Sequence, residues 1–146
     1  MQILAILYRI AVAFWVGGVA IFTFILTPTL FRTQPRDLAG RIVGVLFPGY
    51  FRWGLACGAV ALVLQLLMWG RHSAAACAVL GVMLAAAAFQ AFRIEPRAAA
   101  LKREIPSFET TPKDDPLRRQ FSKLHGISAV CNLVVFVGGV ALVVLF

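Results

Sequence analysis

Four uncharged stretches dominate this sequence and restrict the folds that it can adopt. Residues 10–31, 53–70, 72–92 and 126–146 contain no Lys, Arg, Asp or Glu and are mostly apolar. A helix needs about 20 apolar residues to cross roughly 30 Å of hydrocarbon, so each stretch is long enough for one membrane span. The sequence therefore predicts an all-α fold, an integral membrane four-helix bundle.

The composition agrees with a membrane environment. Hydrophobic residues make up 61% of the chain and charged residues 14%, whereas soluble domains average about 45–50% apolar and about 25% charged. The net charge of +8 could indicate a nucleic-acid partner. However, the basic residues lie between the apolar stretches, as in loops that face an anionic lipid leaflet. We therefore expect a lipid bilayer and no nucleic acid as the partner.

Charges and prolines place the ends of the predicted helices. One domain over residues 1–146 is expected to contain helices at about 3–31, 49–70, 73–92 and 117–146, with loops at 32–48 and 93–116. Within the first loop, residues 35–47 begin with a proline and place apolar side chains on one face. They predict a short amphipathic cytoplasmic helix before helix 2, which ends near Pro48–Gly49. Helix 1 is expected to weaken at Thr27–Pro28, because proline lacks a backbone donor.

The distribution of basic residues predicts the orientation in the membrane. Both long loops are rich in Arg and Lys, whereas the opposite side carries little beyond Arg9 and Arg71. The positive-inside rule then places both loops in the cytoplasm and the N- and C-termini outside. The Arg- and Ala-rich composition favours a bacterial inner membrane.

Six polar residues are expected to converge just below the inner headgroups: Tyr50, Arg52, Glu95, His125, Ser128 and Asn132. The last three follow spacings of three and four, which puts them on one face of the last helix. Two interpretations remain open. The cluster can be a structural latch that hydrogen-bonds neighbouring helices, or a site that binds a ligand or cofactor edge or relays a proton.

Several kinds of chemistry have little support in the sequence. The only histidines, His72 and His125, are expected at opposite membrane faces, which excludes haem with two histidine ligands but leaves one-ligand haem at His125 open. Cys57 and Cys131 could share a depth, so a soft-metal site remains an alternative. Nucleotide-binding loops and serine-hydrolase elbows are not found, which argues against kinase and hydrolase activity.

Four segments carry a resemblance to a known family: FWVGGVAIFTFILTPTLFR (14–32), GRIVGVLFPGYFRWG (40–54), IEPR (94–97) and KLHGISAVCNLVV (123–135). In their order and spacing they resemble the domain-of-unknown-function 4149 family, which is related to animal transmembrane protein 205. The resemblance implies a four-helix membrane protein with an LHxxS…N signature at the start of the last helix. Here that signature falls on Leu124, His125, Ser128 and Asn132.

The family has no settled biochemical activity, although its animal relatives are associated with resistance to drugs and metal compounds. The WxGG segment of helix 1 is also distantly similar to copper-resistance D proteins and to haem-dependent protoporphyrinogen oxidases. Those oxidases have a histidine near the position that Arg9 occupies in this chain. This difference argues against a haem enzyme.

The leading hypothesis is a non-enzymatic bundle that acts as an accessory subunit or a small-ligand-binding component. A chain this small is expected to form a homo-oligomer or to join a larger membrane complex. The alternatives are a haem- or porphyrin-associated redox membrane protein, and a factor for transport of, or resistance to, metals or small molecules. The sequence specifies no cofactor.

Overall fold

Four long helices form this protein. The computed structural model describes residues 2–68, 70 and 73–145, so His72 and Phe146 lie outside the described residues. The helices are α1 (Gln2–Thr33), α2 (Arg36–Leu67), α3 (Ser73–Glu104) and α4 (Pro116–Leu145). Each is long and apolar enough to cross a membrane, and the described residues contain no strand. The predicted all-α four-helix membrane bundle is confirmed.

The helices pack into a closed ring in chain order. Helix α1 contacts α2 and α4, and α3 contacts the same two neighbours from the other side. The centre of the ring is filled by large, fully buried side chains such as Trp15, Leu80, Met83 and Leu142. Most outward-facing side chains in the middle of the helices are also apolar. This pattern suits a bundle whose outer surface contacts lipid instead of water.

Glycines allow neighbouring helices to approach closely near Trp15 and Val16 of α1. A Cβ atom built on Gly58 of α2 would lie 2.5 Å from the Trp15 ring of α1 and 2.6 Å from Leu84 of α3. A Cβ on Gly139 of α4 would collide with Val16 of α1. Small residues at such points let van der Waals packing hold membrane helices together, where lipid removes most of the hydrophobic drive for association.

Two of the four helices continue through a proline because a wide turn precedes it. In α1 the turn covers Ile21–Leu26, and the Thr27 N–H donates to the carbonyl of Phe22, five residues back. Pro28 follows directly. A proline ring clashes with the carbonyl four residues back in a regular helix, and a wider turn moves that carbonyl aside. The expected weakening at Thr27–Pro28 therefore does not end the helix, which runs on to Thr33.

Helix α3 repeats this arrangement. Its wide turn covers Gln90–Ile94, the Glu95 N–H donates to the Gln90 carbonyl, and Pro96 follows. The predicted end of this helix near residue 92 is therefore too early, because the helix continues to Glu104. The predicted loop at 93–116 shortens to residues 105–115.

Helix α2 passes through Pro48 without a break. Residues 36–47 are helical, as expected for the amphipathic segment, but they are continuous with the second membrane span. The expected separation near Pro48–Gly49 is wrong. Stacked aromatic rings lie on both sides of the proline: Phe47 stacks on Phe51 at 5.4 Å, and Tyr50 stacks on Phe22 of α1 at 4.3 Å. Each aromatic pair of this kind contributes about 0.5–1.5 kcal/mol, which offsets part of the roughly 3 kcal/mol that an interior proline costs a helix.

The loop at 105–115 is tied to the start of α2. The Asp37 carboxylate accepts hydrogen bonds from Ser107 Oγ at 2.6 Å and from the Phe108 N–H at 2.7 Å. The Arg36 N–H donates to Glu109 Oε1 at 3.1 Å.

Only Gln34 and Pro35 separate α1 from α2, so the predicted loop at 32–48 is too long. Both connections therefore meet at the same end of the bundle.

We expect Gly58→Ala to lower the thermal stability of the protein in mild detergent. The added methyl group must displace Trp15 or Leu84, and overpacking of this kind costs about 1–3 kcal/mol, more than alanine gains in helix propensity. Gly81→Ala is the matched control, because a Cβ there meets open space. Equal unfolding temperatures for the two variants would contradict the close packing at Gly58.

We expect Asp37→Asn to loosen the loop at 105–115, because the variant replaces the charged acceptor of the Ser107 and Phe108 hydrogen bonds with a neutral amide. Hydrogen exchange at the Phe108 amide should become several-fold faster. Asp114→Asn serves as the control, since Asp114 is exposed. If both variants exchange at the wild-type rate, Asp37 does not anchor the loop.

Candidate functional site

A hydrogen-bonded cluster centred on Asn132 connects all four helices. Asn132 Oδ1 accepts from Tyr50 Oη of α2 at 3.0 Å and from Gln90 Nε2 of α3 at 3.1 Å. Asn132 Nδ2 donates to Thr23 Oγ1 of α1 at 3.3 Å, and Ser128 Oγ donates to Gln90 Oε1 at 3.3 Å. We call these five residues the Asn132 network. Hydrocarbon offers no partners to polar groups, so such a network must satisfy itself within the protein.

The two wide turns supply two members of this network. Thr23 lies within the turn at Ile21–Leu26, and Gln90 begins the turn at Gln90–Ile94. An extra residue in a turn rotates the side chains that follow it relative to a regular helix, and turns of this kind are frequent at functional sites. The same local distortions that accommodate Pro28 and Pro96 therefore coincide with the polar centre of the bundle.

The structure brings together three of the six residues expected to converge. Tyr50, Ser128 and Asn132 are partly buried members of the Asn132 network. Arg52 is exposed, and its Nε donates to the carbonyl of Pro48 at 3.1 Å, so the expected convergence of Arg52 is not found. One turn beyond the network on α3, Glu95 is half-buried.

His125 is exposed, about two turns from Asn132 along α4. Helical spacing places His125, Ser128 and Asn132 on similar sides of α4. However, Gln90 and Thr23 of the neighbouring helices hydrogen-bond only to Ser128 and Asn132 on this helix. The described residues give His125 no hydrogen-bond partner. The expected cluster therefore divides into a buried network and an exposed histidine.

Sequence reasoning missed Thr23 and Gln90. Gln90 is fully buried, with 1% of its surface exposed, and links α3 to two residues of α4. A lone glutamine in the apolar stretch 72–92 was a usable signal, because an amide at membrane depth needs a partner. Thr23 carries a weaker signal, since threonine can also satisfy its hydroxyl on its own helix backbone.

The space beside the Asn132 network is small. A cavity of about 10 Å³ lies against Trp15, Tyr50, Gln90 and Asn132. This volume is about what one water molecule needs. A porphyrin is far larger than this cavity. Among the residues that the structure describes, no three His, Cys, Asp or Glu side chains are close enough to hold a metal ion.

The fold and the network define a class: small helical membrane proteins in which one hydrogen-bonded polar network connects four membrane-spanning helices. Residues 10–107 match the family model described as "Domain of unknown function (DUF4149)", and the chain belongs to this family. It is 31% identical over 124 residues to an "Uncharacterized protein" of Aquifex aeolicus (strain VF5), which covers 84% of this chain and 81% of the relative. No solved structure matches the chain.

The family match includes the two wide turns and ends before α4 begins. Thr23, Tyr50 and Gln90 thus lie within the matched residues, whereas Ser128 and Asn132 lie beyond them. The expected LHxxS…N signature is likewise outside the matched range.

We expect Asn132→Ala to destabilise the bundle more than Tyr50→Phe. The alanine leaves Tyr50, Gln90 and Thr23 without their shared partner, which should cost about 1–3 kcal/mol. The phenylalanine removes one hydrogen bond, worth about 0.6 kcal/mol on average in a membrane protein. Unfolding in mixed micelles of mild detergent and dodecyl sulfate measures both effects. His125→Ala is the control on the same helix, and an equal loss in that variant would contradict a special role for Asn132.

Proposed function

We propose that this protein is a non-enzymatic four-helix component of a bacterial inner membrane, acting as an accessory subunit or a small-ligand-binding component. One observation carries the proposal. The five side chains of the Asn132 network hydrogen-bond to one another across all four helices, and the cavity beside them has room for about one water molecule. The space around the network is therefore filled by the protein's own side chains, and binding is expected on the outer surface.

The arrangement of charges supports a cytoplasmic position for both connections. Helices α1 and α3 end in basic turns, with Arg32 in the first and Lys102 and Arg103 in the second. Basic residues near the ends of membrane spans favour the cytoplasmic side. With four spans, both termini then lie outside. The relative in a bacterium is in keeping with a bacterial inner membrane.

Binding is proposed at the cytoplasmic end of α4, where His125 is exposed. A histidine near the headgroups can donate or accept a hydrogen bond, which suits contact with a protein partner or a small polar ligand. Arg52 is also exposed. It is the one arginine or lysine among the six candidate residues. In this proposal, Tyr50, Ser128 and Asn132 hold the helices that present this surface. The four segments at 14–32, 40–54, 94–97 and 123–135 are the basis for proposing that the family is related to animal transmembrane protein 205.

Association with another subunit is the expected result when the protein is extracted at native abundance in mild detergent. Native mass spectrometry should detect species heavier than the 15.9 kDa chain, either a homo-oligomer or a complex with another membrane protein. His125→Ala should reduce this association at unchanged thermal stability. Thr29→Ala is the control, because Thr29 is an exposed residue of α1 at the same end of the bundle as His125.

Two outcomes would contradict the proposal. One is a stable monomer that recovers neither a partner nor a ligand. The other is a haem absorption band in the purified protein that disappears in His125→Ala, which would replace the accessory role with the redox alternative. A spectrum without such a band, together with heavier species lost in His125→Ala, supports the accessory role.

A further inference from the structure

A basic groove lies at the start of α4, outside the Asn132 network. Lys113, Arg119, Gln120, Ser122 and Lys123 line an open groove of about 690 Å³. Three of the five side chains are cations and none is acidic. Two acids lie between Lys113 and α4. Asp114 is exposed and does not line the groove, and Asp115 is turned to the helix end, where its Oδ1 accepts from the N–H groups of Leu117 and Arg118. The groove therefore suits an anion.

The loop that supplies Lys113 is held against α4. Arg118 is buried, donates through Nη1 to the Thr111 carbonyl and lies 5.8 Å from the centre of the Phe108 ring. The Phe108 ring also contacts Phe121 edge-on at 4.8 Å. These contacts fix the loop two residues before Lys113. The groove is thus formed by two segments of the chain that are held together by these contacts. The backbone that carries Lys113 therefore has a fixed position relative to α4.

The groove lies at the depth of lipid phosphates. Residues 126–145 of α4 contain no charge, and 20 helical residues at about 1.5 Å per residue span the roughly 30 Å of hydrocarbon. Arg119 and Lys123 lie within two turns of this apolar segment. Their charged groups are therefore expected at the level of the headgroups, on whichever side of the membrane this end faces.

An exposed apolar track runs from the groove toward the middle of the membrane. Steps of three or four residues place Gly126, Val130, Leu133 and Val137 in line with Arg119 and Lys123. The three larger side chains are 61%, 53% and 57% exposed, and a Cβ on Gly126 would meet open space. One continuous strip of α4 therefore presents positive charge at one end and a smooth apolar surface below it.

We propose that this strip binds an anionic phospholipid of the surrounding bilayer, with its phosphate in the basic groove and an acyl chain along the apolar track. Free phosphate or an acidic peptide would use the three cations but would leave the track unused. A phospholipid matches both parts. This inference does not depend on the proposed function, because a lipid site is compatible with any partner.

The test compares two variants with the same change in charge. The groove variant carries Lys113→Gln, Arg119→Gln and Lys123→Gln. The control carries Arg32→Gln, Arg97→Gln and Arg103→Gln, three exposed arginines that do not line the groove. Both proteins are purified in non-ionic detergent and titrated with phosphatidylglycerol or phosphatidylcholine, and bound lipid is counted by native mass spectrometry.

The wild type and the control variant should retain phosphatidylglycerol in preference to phosphatidylcholine. Each basic residue near an anionic lipid surface strengthens binding roughly fivefold, so the groove variant should lose most of its bound phosphatidylglycerol. If both variants lose the same amount of phosphatidylglycerol, binding depends only on the net charge of the protein, and the proposed site is wrong. A wild type without preference between the two lipids would do the same.

A second comparison separates a lipid from its headgroup. Gly126→Leu places a side chain in the track. Gly81→Leu is the control, because it adds the same side chain at an exposed glycine of α3 that also has open space around it. Only Gly126→Leu should weaken phosphatidylglycerol binding. Unchanged binding in that variant would overturn the acyl track. Displacement of the lipid by inorganic phosphate or glycerol phosphate at equal concentration would identify a phosphate site, and displacement by an acidic peptide would identify a peptide site.

Discussion

The need to satisfy polar groups without water governs the centre of this protein. Asn132 lies in a helix that is long and apolar enough to cross a bilayer, where an unpaired amide is costly. Its side chain bonds to one residue from each of the other three helices. Because lipid removes most of the hydrophobic drive for helices to associate, such bonds and close packing fix which helix faces meet. Among the described residues, no other side chain hydrogen-bonds to three other helices.

Packing at the glycines works together with the network. Trp15 of α1 fits against Gly54 and Gly58 of α2, close to the Tyr50 side of the network. Directional hydrogen bonds select the helix faces, and the smooth glycine surface lets the backbones come near enough for those bonds to form. Each contribution is small in isolation. Together they leave a cavity of about 10 Å³ beside the network, which is about the space that one water molecule needs.

Prolines shape the ends of the bundle without ending the helices. Pro28 and Pro96 each follow a wide turn, and Pro48 is held within α2 by stacked aromatic rings. The helices therefore reach 30 or more residues and extend beyond the hydrocarbon. The added length carries the basic side chains and the loop at 105–115 into the headgroup region.

Much of the site could be anticipated from spacing, and part of it could not. The three- and four-residue steps correctly put Ser128 and Asn132 on one face of α4, and Tyr50 at the right height on α2. The same reasoning grouped Arg52 and His125 with them, although both are exposed. Depth along a helix follows from residue number, but the direction of a side chain around the bundle depends on the rotation of each helix. That rotation is changed by turns such as Ile21–Leu26 and Gln90–Ile94.

The sequence by itself determined the class of fold, because a charge-free stretch of about 20 apolar residues has no stable alternative to a membrane helix. It also determined where α4 begins, through the acids that precede Pro116. Only the tertiary structure decided whether the helices pass through Pro28, Pro48 and Pro96, and which polar residues meet at Asn132. Both outcomes depend on contacts between residues that are far apart in the chain. Local propensity does not contain those contacts.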